Sequence, residues 1–98
     1  MAIGLLATIT VQEGKNAEFE EAFLNLTEQV RANETGNTFY ALHRSPVDPQ
    51  VYRVMEQYEN QEALEAHGKT EYFLKASAQL AGLVARAPEI EVMEAVTR

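Results

Sequence analysis

The chain has no cysteine and no tryptophan, and its basic residues are outnumbered, 8 Lys and Arg against 15 Asp and Glu. The missing thiols exclude disulfides, thiolate nucleophiles, iron–sulfur clusters and Cys-ligated zinc. Two histidines, His43 and His67, lie outside any H-x-E-x-H or similar spacing, so no metal site is expected. A net charge of −7 repels phosphate backbones and anionic lipid, and no basic stripe offsets it. Neither nucleic acid nor a membrane surface is an expected partner. The apolar stretches fall far short of the roughly 18 residues a membrane span requires. Met1 to Ala7 is apolar but lacks the basic flank of a signal peptide, and it alternates onward through Thr8-Ile9-Thr10-Val11. It reads as a strand, and a cytoplasmic protein is the expectation.

What is present is an ordinary globular composition, 46% hydrophobic and 23% charged. Ninety-eight residues allow one domain, 1–98, with one core. Ile3 to Val11 is rich in β-branched residues. Leu5, Ala7, Ile9 and Val11 face one side, and Leu6, Thr8 and Thr10 the other, so both faces ask for a cover. Gln12 to Asn16 is a turn in which Asn16 is a candidate helix N-cap. The period then changes to 3.6. Phe19, Ala22, Phe23, Leu26 and Val30 form one stripe, and Glu18, Glu20, Glu21, Asn25 and Glu28 the wet face. The helix stops before Gly36, where a left-handed residue is cheapest.

Asn37 to Ser45 and Val51 to Tyr58 read as strands joined by a hairpin loop containing Pro46 and Pro49. The third strand sets Tyr52, Val54, Glu56 and Tyr58 on one face and Val51, Arg53, Met55 and Gln57 on the other. Asn60 caps a short helix from Gln61 to His67, ended by Gly68. Thr70 caps another with a stripe of Phe73, Ala76, Ser77, Leu80, Leu83 and Val84, with Gly82 as an alternative earlier end. Pro88 stops any helix, and Glu89 to Val96 closes as a fourth strand. The order β-α-β-β-α-β is the ferredoxin-like split βαβ pattern, an α+β fold with a four-stranded antiparallel sheet. Helices cover one face of such a sheet. Apolar residues on the other predict an isologous homodimer.

Three stretches carry a wider resemblance: Glu34-Thr35-Gly36-Asn37-Thr38-Phe39-Tyr40, then Asp48-Pro49 with Glu56-Gln57-Tyr58, then His67 through Thr70 to Tyr72-Phe73. They follow the pattern E-x-G-N/C-x-x-Y, D-P, E-x-W/Y, H-x-x-T-x-H/Y-F. In this the chain resembles the antibiotic biosynthesis monooxygenase (ABM) superfamily of dimeric α/β barrels. It is most similar to the small single-domain bacterial members of the quinol monooxygenase type. The resemblance implies oxygenation of an electron-rich aromatic by O2 without a flavin, haem or metal cofactor. Such chemistry needs a general base, a hydrogen-bond donor for the substrate anion and a dry cavity.

On that resemblance His67 is the candidate base, since histidine is the side chain whose ordinary proton equilibrium lies nearest neutrality. The alternative is a structural histidine tying helices together. Glu56, among Tyr52, Val54 and Tyr58, would orient His67 or act as base itself; the bland reading is a salt bridge to Arg53 or Arg44. Tyr72 would donate to a phenolate oxygen. It stands where many relatives have a second histidine, which disfavours a His-pair mechanism. Tyr40 and Phe73, with Tyr52 and Tyr58, would line the substrate pocket, whereas His43 faces the surface or a dimer interface. Where the haem-degrading branch of the superfamily relies on Asn, Trp and His, this chain has Ala7, His67 and Ser77, so haem degradation is not expected. The competing reading is a small-molecule binding or signal-processing dimer, isomerase-like or non-catalytic. A largely apolar cavity on which His67 and one acid converge favours oxygenation. Many polar lining groups favour a sugar-like ligand, and a filled core favours no catalysis.

Overall fold

Residues 1–97 are described by a computed structural model. The elements run β1 (Ile3–Thr10), α1 (Asn16–Asn33), β2 (Asn37–Arg44), β3 (Val51–Tyr58), α2 (Gln61–Gly68), α3 (Glu71–Ala81) and β4 (Glu89–Glu94). The sheet order is β2-β3-β1-β4, with every neighbouring pair antiparallel. This is the expected ferredoxin-like arrangement, with the second crossover divided between α2 and α3.

Register carries the strand alternation across the whole sheet. Leu5 pairs with Glu56 and Val92, and Ala7 with Val54 and Ile90. These residues share the face on which α1 lies. Phe19, Ala22, Phe23, Leu26 and Val30 of α1 are all buried there, as the 3.6-residue period predicts. Phe19 meets the Tyr52 ring with centroids 4.8 Å apart, and Phe23 stacks on Tyr40 at 5.7 Å. Each such aromatic contributes a few kcal/mol, about 1.5–3 for burying a side chain of this size.

Local signals differ from expectation at three places. Asn16 does not cap α1. It lies inside the helix, and its amide donates to Pro49 O (2.8 Å) and to the Tyr52 hydroxyl (3.0 Å), so it ties α1 to the hairpin instead. Gly36 is not left-handed; the one positive-φ residue among those described is Gly14, at 85°. Gly36 is required for space, because a Cβ there would sit 2.7 Å from the Ala63 Cβ. β4 ends at Glu94 rather than Val96, although Ala95 N still donates to Ala2 O. Asn60 and Thr70 cap their helices as predicted, accepting from Ala63 N (2.8 Å) and Phe73 N (3.2 Å).

The placement of α3 shapes the interior. It packs on α1 rather than down on the sheet, and none of its residues is fully buried. The segment after it is tied to the end of β1: Val84 bridges Val11, Ala85 N donates to Thr10 O, and Gln12 N to Leu83 O. Helix and sheet are thus held apart and joined at one end. Among the described residues no helix is long and apolar enough to cross a membrane.

Candidate active site

The space between α3 and the sheet is a partly open cavity of about 770 Å³. Leu5, Ala7, Ile9 and Val54 floor it, Phe23 and Leu26 of α1 and Phe73 and Leu80 of α3 wall it, and the 85–88 loop with Ile90 forms one rim. Three polar groups converge at the far end: Tyr40 from β2, Glu56 from β3 and His67 from α2. Tyr40 and Glu56 are register partners on adjacent strands, and the His67 ring lies 5.2 Å from that of Tyr40. A volume in this range, mostly apolar with a few converging polar groups, is the usual form of a small-molecule site.

His67 is 4% exposed and sits in the last turn of α2. The rings of Phe73, at 4.6 Å, and Tyr58, at 5.4 Å, hold it on two sides. Its Nδ1 lies 3.0 Å from both carboxylate oxygens of Glu34. Nε2 makes no hydrogen bond to the described residues, yet among them no fully buried side-chain N or O lacks a partner. Nε2 therefore keeps some accessible surface, and the cavity is where His67 has it. The same holds for the Tyr40 hydroxyl and for Glu56 Oε2. Glu56 Oε1 accepts a 2.7 Å hydrogen bond from Tyr58.

Burial and the nearby negative charge of Glu34 push the Glu56 carboxyl up to about 7, against a smaller opposing effect of the Tyr58 hydrogen bond. Burial, then the charges of Glu56 and Glu34, hold the Tyr40 phenol far above its ordinary range, so it remains a neutral donor. The site thus offers one base position at His67 Nε2 and two donors, the Tyr40 hydroxyl and the protonated form of Glu56.

Four expectations change. Glu56 does not orient His67; its hydrogen-bonding partner is Tyr58, and it makes no salt bridge to Arg53 or Arg44. The residue that bonds His67 is Glu34, which the E-x-G-N motif contained without a role. Tyr72 does not face the cavity: its hydroxyl donates to Glu34 Oε2, on the other side of His67. Tyr52 also lies away from the cavity, bonded to Glu20 and Asn16 beneath α1, while Arg44 pairs with Glu20 at 3.1 Å. Tyr58 supports the site from behind, through His67 and Glu56, rather than lining it. Tyr40 and Phe73 do line it. His43 is exposed on the opposite sheet face, paired with Arg53. Among the described residues no group of acids and histidines could hold a metal ion.

Residues 2–79 match the model of the antibiotic biosynthesis monooxygenase family. A Caulobacter crescentus structure, itself named only provisionally as an antibiotic biosynthesis monooxygenase, is 46% identical. The match covers 98% of this chain and 91% of that one, with a TM-score of 0.96. A Pseudomonas aeruginosa structure is 29% identical over 98% of this chain and 95% of that one, with a TM-score of 0.87. A Nitrosomonas europaea structure shares the fold at 22% identity and a TM-score of 0.93, over 97% of this chain and 90% of that one. No curated protein matches the chain. The family match runs from β1 into α3 and so includes Tyr40, Glu56 and His67 at the cavity's polar end and Glu34 behind His67: the chain belongs to the antibiotic biosynthesis monooxygenase family.

Proposed function

We propose that the protein is a cofactor-independent monooxygenase acting on a quinol, polyphenol or similar electron-rich aromatic. Family membership supports a monooxygenase-type function. The observation that carries the finer reading is the cavity: large, mostly apolar, with a base position and two donors at one end. A substrate hydroxyl gives its proton to His67 Nε2. The resulting anion transfers one electron to O2, and the radical pair recombines into a carbon–oxygen bond. Cleavage of the O–O bond leaves one oxygen in the product. The other departs as water, taking the proton held by His67 and the hydrogen displaced from the ring carbon. A hydroquinone thus becomes a hydroxyquinone plus water. Tyr40 and protonated Glu56 stabilise the anionic oxygens as charge develops. Apolar walls strengthen those hydrogen bonds by excluding water.

A panel of hydroquinones and hydroxynaphthalenes tests this by oxygen uptake on chelator-treated protein. The expected result is one O2 consumed per substrate, with the product heavier by one oxygen and lighter by two hydrogens. Uptake no faster than autoxidation across the panel overturns it. Saturable ligand binding without uptake would favour the non-catalytic reading.

The proposal extends to the assembly. The sheet face away from the helices carries Leu6, Ala41, Phe39, Met55 and Met93, the last three 45%, 45% and 41% exposed. Ile90 and Val92, on the helix side but beyond α3, are 56% and 54% exposed. A homodimer would cover these surfaces, and a stable one of this kind buries roughly 2,000 Å² or more. Sedimentation at micromolar concentration is expected to give a dimer; a monomer there contradicts it.

A further inference from the structure

Glu34 reaches His67 from outside the cavity. It is the C-cap residue of α1, in extended conformation (φ −109°, ψ 96°), which ends the helix and turns its side chain toward α2. Its side chain is 12% exposed, so the carboxylate is largely desolvated against His67 Nδ1. Tyr72, from the first turn of α3, donates its hydroxyl to Glu34 Oε2. Glu34 and Tyr72 line a second groove, of about 450 Å³, that His67 does not line, just as they are absent from the lining of the cavity. The imidazole thus stands between two compartments, with a carboxylate on its Nδ1 side and open space at Nε2.

An ionised carboxylate only accepts hydrogen bonds. Nδ1 can bond to it only while carrying a hydrogen, which leaves the lone pair of the neutral ring on Nε2. We infer that Glu34 is a positioning residue that fixes His67 as the Nδ1–H tautomer with its basic nitrogen in the cavity, and that Tyr72 holds Glu34 in place. Catalytically this rests on the reading of His67 as base; the tautomer itself does not. When Nε2 takes the substrate proton, Nδ1 keeps its own, and the imidazolium is stabilised by Glu34 until Nε2 returns its proton to the departing water. Its role is that of the aspartate in a Ser-His-Asp triad, which orients the imidazole and stabilises its charged form.

The test is ¹⁵N NMR of His67 in the full-length protein at a pH where the ring is neutral, beside steady-state rates. The wild type is expected to show a protonated Nδ1 and an unprotonated Nε2. In Glu34→Gln the amide can turn its NH2 toward Nδ1, moving the ring proton to Nε2. The rate on a quinol should then fall by about 10–100-fold, the usual worth of a supporting partner, in kcat rather than KM. Glu34→Asp keeps a carboxylate and should restore the Nδ1–H signature and part of kcat. Tyr72→Phe should keep the tautomer with a smaller loss of kcat. A wild-type His67 protonated on Nε2, or a Glu34→Gln variant whose tautomer is unchanged, overturns the inference. If no quinol is consumed but His67 has the Nδ1–H tautomer and loses it in Glu34→Gln, positioning stands and the oxygenase reading fails.

Discussion

His67→Asn should abolish most of the activity while leaving the fold intact. An asparagine amide at this position can place an N–H close to where Nδ1–H now meets Glu34, so the buried carboxylate keeps a donor. What the substitution removes is Nε2, the imidazole nitrogen left without a protein partner at the polar end of the cavity. Loss of a positioned acid–base group costs about 10²–10⁴ in rate. The melting temperature should stay within a few degrees of wild type. His67→Ala is the useful contrast. It leaves Glu34 with Tyr72 alone and a hole beside Phe73. An unsatisfied buried group costs about 1–3 kcal/mol, and each kcal/mol lowers the melting temperature of a domain this size by about 4–8 °C. Rates and melting curves measured on the same preparations separate the two effects. A folded His67→Asn protein at wild-type rate would remove His67 from the mechanism and make Glu56 the next base to test.

The second large effect belongs to Glu56 and concerns stability against pH. An ordinary carboxyl in the unfolded chain ionises near 4.5, whereas burial holds the folded one up to about 7. Between those values the unfolded chain has released the proton and the folded chain still carries it. Stability therefore falls as pH rises through that interval, levels off above it, and is unaffected below it. At about 1.4 kcal/mol for each pH unit, the ionised group costs the fold about 3 kcal/mol by pH 8. Glu56→Gln keeps an oxygen to accept from Tyr58 and cannot ionise. It should melt about ten degrees or more above wild type at pH 8 and close to it at pH 4.5. Equal melting temperatures at both pH values would show that Glu56 titrates normally. Activity offers a separate reading: if the protonated acid is the donor, the wild-type rate should decline above about pH 7, and Glu56→Gln should lose that decline.

The stripe on α1 was legible from Phe19 to Val30 because one face of a helix must be apolar to bury itself, and burial imposes a 3.6-residue period on the sequence. Asn60 and Thr70 were legible as caps because a helix start needs a side-chain acceptor three residues ahead of a free N–H. Asn16 has the same composition signal and a different use, since a competing acceptor, Pro49 O, comes to it from a residue 33 positions away. No local rule contains that neighbour.

The site divides along the same line. Sequence alone identified the α+β fold, the order of its elements, the absence of thiol chemistry and, through the motif resemblance, His67, Glu56, Tyr40 and Phe73 as residues to examine. Only the tertiary structure decided their partners. Glu34 meets His67 across 33 residues, and Tyr72 meets Glu34 across 38. Tyr52 and Glu56 alternate onto the same strand face, yet Tyr52 goes under α1 and Glu56 into the cavity, because α1 and α3 cover different parts of that face. The cavity itself is a consequence of α3 resting on α1 instead of the sheet. Periodicity reports which side of an element faces inward. It carries no information on how far away the next element stands, and that separation is what turns a core into a site.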